Sequence, residues 1–138
     1  MAERGARSTF ETEVRAAIAA GSAGSVLAGN ALDRSPGVVS LDFEISRTYP
    51  LVTLVTMVAP SPDWFVGIRD LNRFQNGDWI STLSVDLDPY DAGTDSGTTY
   101  QSPDRETSPR GTIQRITGEP FVSNGTVARL GTFTFQRG

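Results

Sequence analysis

Leu51-Val52-Thr53-Leu54-Val55-Thr56-Met57-Val58 is an unbroken run of apolar and threonine residues, five of the eight β-branched. Such a run reads as a strand in the middle of a sheet, because branched side chains pack well on a pleated surface. Pro60 and Pro62 end it, since proline cannot donate to a ladder. Trp64, Val66 and Ile68 then resume an alternating pattern and predict a second strand. Working outward, Val39, Leu41, Phe43 and Ile45 alternate with Ser40, Asp42 and Glu44, the signature of a half-buried strand. Leu83, Val85 and Leu87 alternate likewise with Ser84, Asp86 and Asp88. Shorter candidates are Thr98–Gln101, Thr112–Thr117 and Thr132–Gln136, where Phe133 and Phe135 share a face. Asn76-Gly77 and Asn124-Gly125 are hairpin-turn signals between them. Many short strands joined by turns predict a mainly β chain, an antiparallel β-sandwich.

One helix is expected near the start. Ser8 and Glu11 have capping-box spacing, and Phe10, Val14 and Ile18 recur on one face. Alanines 16, 17, 19 and 20 favour the helix, and Gly21 is its expected stop. The Gly-, Ser- and Ala-rich stretch from Gly21 to Gly37 reads as loop. The 138 residues are one domain's worth.

The absences narrow the chemistry. The chain has no Cys and no His, and all 12 of its basic residues are Arg. That removes Ser-His and Cys-His nucleophiles, lysine Schiff bases, and zinc sites built from Cys or His. A net charge of −4 gives no reason to expect nucleic acid as a partner. No apolar run is long enough to span a membrane, and MAERGARSTF lacks the apolar stretch of a signal peptide.

Acidic residues are unevenly placed. Seven aspartates and only Arg69 and Arg73 lie between residues 63 and 95, so that window carries −5. Asp86 and Asp88 read as the solvent face of a strand, and Arg69 and Arg73 as local charge balance. Asp91-Ala92-Gly93-Thr94-Asp95-Ser96-Gly97 is different. Two carboxylates four apart, in a loop that two glycines let turn sharply, suit a hard cation with oxygen ligands. The competing reading is a pair of Asx turns, each Asp bonding backbone amides just ahead of it. Trp64 reads as core and Trp79 as partly exposed, and 104–110 as a solvated connection.

Ser61-Pro62-Asp63-Trp64-Phe65-Val66-Gly67, Pro89-Tyr90-Asp91-Ala92-Gly93-Thr94-Asp95-Ser96-Gly97 and Tyr100-Gln101-Ser102-Pro103-Asp104 together resemble the spondin domain. This is the domain of the F-spondin and mindin matrix proteins, and it occurs in secreted bacterial proteins. The likeness is firm from about Pro36 to Gly138, and the lack of Cys places the chain nearer the bacterial members. The resemblance implies a C2-like sandwich binding calcium at one end, with the ligand positions falling on Asp63, Asp91 and Asp95. It further implies a secreted module of adhesion or recognition, with glycans or cell-surface and matrix proteins as partners.

The family domain carries strands ahead of its helix for which this chain shows no counterpart. An edge strand left open in this way would invite pairing with a second copy. Two other readings compete with the calcium module. One is a structural, self-associating domain without a metal. The other is a glycoside hydrolase using Asp63 and Asp91, disfavoured because a small domain offers little cleft.

Overall fold

The computed structural model describes residues 5–138. The chain divides into two units, residues 7–50 and, with Gly5 and Ala6, residues 51–138. Antiparallel sheets and, among the described residues, a single helix make the architecture mainly β and consistent with a β-sandwich.

In the first unit, α1 spans Ser8–Ala19. It stops where expected. Gly21 sits at φ 71°, and its amide bonds Ile18 O while the Ser22 amide reaches Ala17 O, the double bond that closes a helix on a left-handed glycine. The start differs from the capping-box reading. Arg7, not Ser8, holds the cap position, without a side-chain cap bond. Glu11 instead faces Arg7 at 3.7 Å.

The strand expected over Val39–Ile45 does not form. None of residues 37–46 enters a ladder with any described residue. The alternation survives in the exposure, Phe43 and Ile45 being half-buried where Asp42 and Glu44 are exposed. A period-2 pattern fixes which face is apolar. It cannot supply the neighbouring backbone that a strand needs.

The second unit holds the sheets. Strand β1 (Leu51–Met57) pairs antiparallel with β2 (Trp64–Asn72), and the turn between them contains Pro60 and Pro62. Ser61 stabilises that turn by donating to Val58 O and accepting from the Trp64 amide. A bulge opposite Thr53 lets its hydroxyl take the Asp70 amide, with Asp70 at φ 53°. After the hairpin β3 (Phe74–Gln75) and β4 (Asp78–Trp79), strand β5 covers Thr82–Asp86 and β6 covers Pro89–Asp91. Next come β7 (Gln114–Arg115), the hairpin β8 (Val122–Ser123) and β9 (Thr126–Val127), and β10 (Thr132–Gln136).

One sheet runs β1-β2-β6-β7, and β5 pairs with β10 in another. Both Asn-Gly pairs sit at hairpin tips with positive φ at Asn and Gly, as I′-type turns require. Thr98–Gln101 is a turn, not a strand, because Ser102 Oγ takes the amides of Thr98 and Thr99.

The core is small and aromatic. Val52, Trp64, Phe65, Val66, Leu87, Phe121 and Phe135 are buried, all in this second unit. Trp64 and Phe121 meet edge to face at 5.0 Å, with Tyr100 on both. Trp79, half-buried, packs on Phe74. Phe121 is 2% exposed, so Phe121→Ala leaves a cavity against Trp64 and should cost about 3–5 kcal/mol. Val38→Ala, at a position 91% exposed, should stay within about 0.5 kcal/mol. Urea unfolding of both variants measures the contrast.

Candidate metal centre

Asp63 ends the proline-bounded turn just before β2, and the fold leaves it no exposed surface. Its backbone carbonyl accepts the Ala92 amide at 3.3 Å. Its Oδ2 accepts three bonds from the 91–97 loop: the Thr94 amide at 2.6 Å, the Thr94 hydroxyl at 3.1 Å and the Asp95 amide at 3.1 Å. Its Oδ1 is buried and has no hydrogen-bond partner. Two sequence-distant acidic segments therefore meet.

The loop is shaped by its own carboxylates. Asp91 Oδ1 accepts the Gly93 amide and Asp95 Oδ1 the Gly97 amide, each at 2.6 Å. These are Asx turns, so the plainer reading of the motif holds as local geometry. Asp95, 4% exposed, also accepts the Arg105 amide on Oδ2 at 2.6 Å. The 104–110 stretch is thus more than a solvated connection: its start closes the back of the loop, with an Asp95–Glu106 bridge and a Thr107 amide bonded to Thr94 O.

Glycine is obligatory at two points. Gly93 has φ 72°, and a Cβ there would lie 2.7 Å from the Gly111 carbonyl carbon. A Cβ on Gly97 would lie 2.5 Å from Pro62 Cγ. An open cavity of about 330 Å³ borders the loop, between Asp91 and Gly93 on one side and Gly111, Thr112, Gln114 and Arg115 on the other.

The electrostatics are unbalanced. Among the described residues no basic side chain pairs with Asp63, Asp91 or Asp95. Several arginines of this unit pair with other aspartates. Arg69 bonds Asp70, and Arg115 and Arg129 pair with Asp88 and Asp86 on the surface. Arg73 does not balance the acidic window as the sequence suggested. It is 6% exposed, donates to Ile80 O at 2.7 Å and lies over the Phe135 ring at 5.3 Å.

Partial burial pushes the Asp91 carboxyl above its ordinary range. The charges of Asp63 and Asp95 push the same way, against the Gly93 amide. As it stands, no group of three acidic side chains among the described residues is arranged to hold a metal ion. The donor chemistry still fits a hard cation: every candidate ligand is an oxygen, and the deepest lacks a partner.

Sequence reasoning placed Asp63, Asp91 and Asp95. It missed the Thr94 amide and hydroxyl, the Arg105 amide and the Gly111 contact, since only tertiary structure brings residues 104–111 against the loop. A raised Asp91 value means the native state binds that proton more tightly than the unfolded chain. This favourable contribution is complete below the ordinary value of 3.8 and is lost as pH rises through the raised one. In EDTA, the melting midpoint of Asp91→Asn should therefore gain on the unsubstituted chain from acidic to neutral pH. Gly97→Ala should melt lower at every pH.

The family model Spondin_N matches residues 1–125, a span that includes the helix and loop ahead of the acidic motifs. Human Spondin-2 is 40% identical over 117 residues, covering 84% of this chain and 35% of that protein. Rat Spondin-1 is 45% identical over 107 residues, covering 71% of this chain and 13% of that protein. Chicken Spondin-1 is 44% identical over 80 residues. The chain spans about a third of the length of the first of these relatives and a much smaller part of the others. With a family model matched along most of its length, this chain belongs to the Spondin_N family.

Proposed function

We propose that this chain is a secreted, calcium-binding module of adhesion or recognition, in which Asp63, Asp91 and Asp95 gather on one Ca²⁺. The observation that carries the reading is Asp63 Oδ1, a fully buried carboxylate oxygen without a hydrogen-bond partner or an ion pair among the described residues. Leaving one buried acceptor unpaired costs about 1–3 kcal/mol. Asx turns explain how Asp91 and Asp95 shape the loop, but they leave that oxygen and the mutual repulsion of three carboxylates unexplained. A cation answers both. Asp63 Oδ1 and the Asp91 carboxylate would meet it first, and Asp95 would join by exchanging an amide for the ion.

Family membership supports an extracellular module, with glycans or cell-surface and matrix proteins as its partners. Among the described residues no helix is long and apolar enough to cross a membrane. Binding rather than turnover is favoured by the burial of Asp63. A carboxylate with no exposed surface cannot reach a glycosidic bond, which weighs against the hydrolase pairing with Asp91.

Thermal melts after EDTA treatment, with and without calcium, test the metal. An ion that binds only the folded state at a hundredfold excess over Kd stabilises by about 2.7 kcal/mol. That raises the midpoint by on the order of 10 °C in a chain of this size. Asp63→Asn and Asp91→Asn should each remove most of the rise. An unchanged midpoint in millimolar calcium overturns the metal reading and leaves a structural domain closed by Asx turns.

A further inference from the structure

Of the four asparagines in the chain, only Asn76 and Asn124 precede glycine. An asparagine cyclises most readily onto a glycine amide, because no side chain shields that nitrogen from the carboxamide. Both pairs sit at hairpin tips with positive φ, 53° and 86° in the first, 52° and 75° in the second. Dipeptide and turn geometry thus treat the two sites alike. A tight turn fixes the dihedral that must rotate to bring the glycine nitrogen onto the side-chain carbon, so the reaction waits for the hairpin to open. Bracing decides between them. The Asn76 hairpin is held firmly. Phe74 and Trp79 meet edge to face at 5.0 Å across it. The Phe74 amide bonds Asn72 Oδ1 at 2.9 Å, and Gln75 Nε2 bonds Asn72 O at 3.1 Å. Arg73 and Ile80 close its base twice, by the Ile80 amide to Arg73 O at 2.9 Å and by Arg73 Nη2 to Ile80 O at 2.7 Å. The Asn124 hairpin has as many ladder pairs, Val122 with Val127 and Ser123 with Thr126, and a bond from the Ala128 amide to Phe121 O at 2.7 Å beneath them. Among the described residues no side chain from 122 to 127 makes a hydrogen bond, an ion pair or a ring contact.

We infer that Asn124 is a site of spontaneous modification, deamidating with water as its only co-reactant, while the same dipeptide at Asn76 is protected by its braces. The Gly125 nitrogen attacks Asn124 Cγ. The N–Cγ bond forms as the Cγ–Nδ2 bond breaks, and the Gly125 amide proton leaves with the amino group as ammonia. Water then opens the cyclic imide at either carbonyl, leaving aspartate or an isoaspartate whose main chain runs through Cγ. Both products place a negative charge at the tip. Isoaspartate also inserts a carbon into a turn that two residues close, so the ladder above it loses its register. The damage has a path to the core, because Phe121, 2% exposed and packed on Trp64 at 5.0 Å, is tied to Ala128 at the base of this hairpin. Every contact compared lies within residues 51–138, and none involves the candidate metal ligands.

Incubation of the whole chain in warm, mildly alkaline buffer, followed by tryptic digestion and mass spectrometry, reads both sites in one sample. Asn124 should convert about tenfold faster than Asn76, the factor that a ring contact and a few hydrogen bonds are worth in an opening equilibrium. In urea, with both hairpins unfolded, the two rates should become similar. Trp79→Ala removes the ring contact at the Asn76 hairpin and should raise the Asn76 rate while leaving that of Asn124 unchanged. Isoaspartate at residue 124, detected with an isoaspartate methyltransferase, should build up as the melting midpoint falls, and Asn124→Gln should stop both changes. Equal rates at the two sites of the folded chain overturn the proposal. So does an Asn124 that stays intact, or a rate ratio that is the same in urea as in buffer. An Asn76 rate that Trp79→Ala does not move also overturns it, because bracing is then not what protects that site.

Discussion

The three hydrogen bonds from Thr94 and Asp95 to a single oxygen of Asp63 hold the acidic end of the β-rich unit together. Without them the 91–97 loop would rest on its internal Asx turns, the 105–107 strap, the Gly93–Gly111 contact and the single amide bond from Ala92 to Asp63 O. With them, the turn entering β2 and the loop leaving β6 become one object, anchored by the ladder pairing of Trp64 with Asp91. A carboxylate bonded to amides on one oxygen and bare on the other is half satisfied. That asymmetry turns a structural clasp into a candidate ion site.

Much of this was legible in the chain. Strand β1 and the start of β2 follow from β-branched runs punctuated by prolines. Strands β5 and β10 follow from alternation, and the two hairpin tips from Asn-Gly. Local composition singles out Asp91 and Asp95, and family likeness alone singles out Asp63, which the fold brings onto the 91–97 loop through Thr94 and Asp95. Nothing in the spacing of residues 63 and 91 reveals that they meet, because register between β2 and β6 decides it.

What was not legible has a common cause. Val39–Ile45 has a strand's pattern and Thr98–Gln101 a strand's residues, yet neither pairs. The first finds no ladder partner among the described residues, and the second is captured locally by Ser102. Arg73 reads as a charge-balancing surface residue. Its guanidinium is sunk against Phe135 because β10 happens to lie there, which composition does not record. Single-residue preferences describe what a segment can do, and partners decide what it does.

The contact between Gly93 and Gly111 has a kinetic consequence. Gly111 donates to Gly93 O at 2.7 Å from eighteen positions away in the chain, and Asp63 reaches Thr94 from thirty-one. Closing such loops costs chain entropy before any contact repays it, so non-local pairings are slow to form. The acidic end is therefore expected to become ordered after the β1–β2 hairpin, which a short turn closes, and before the β5–β10 pairing, which joins Ser84 to Thr134 across fifty positions.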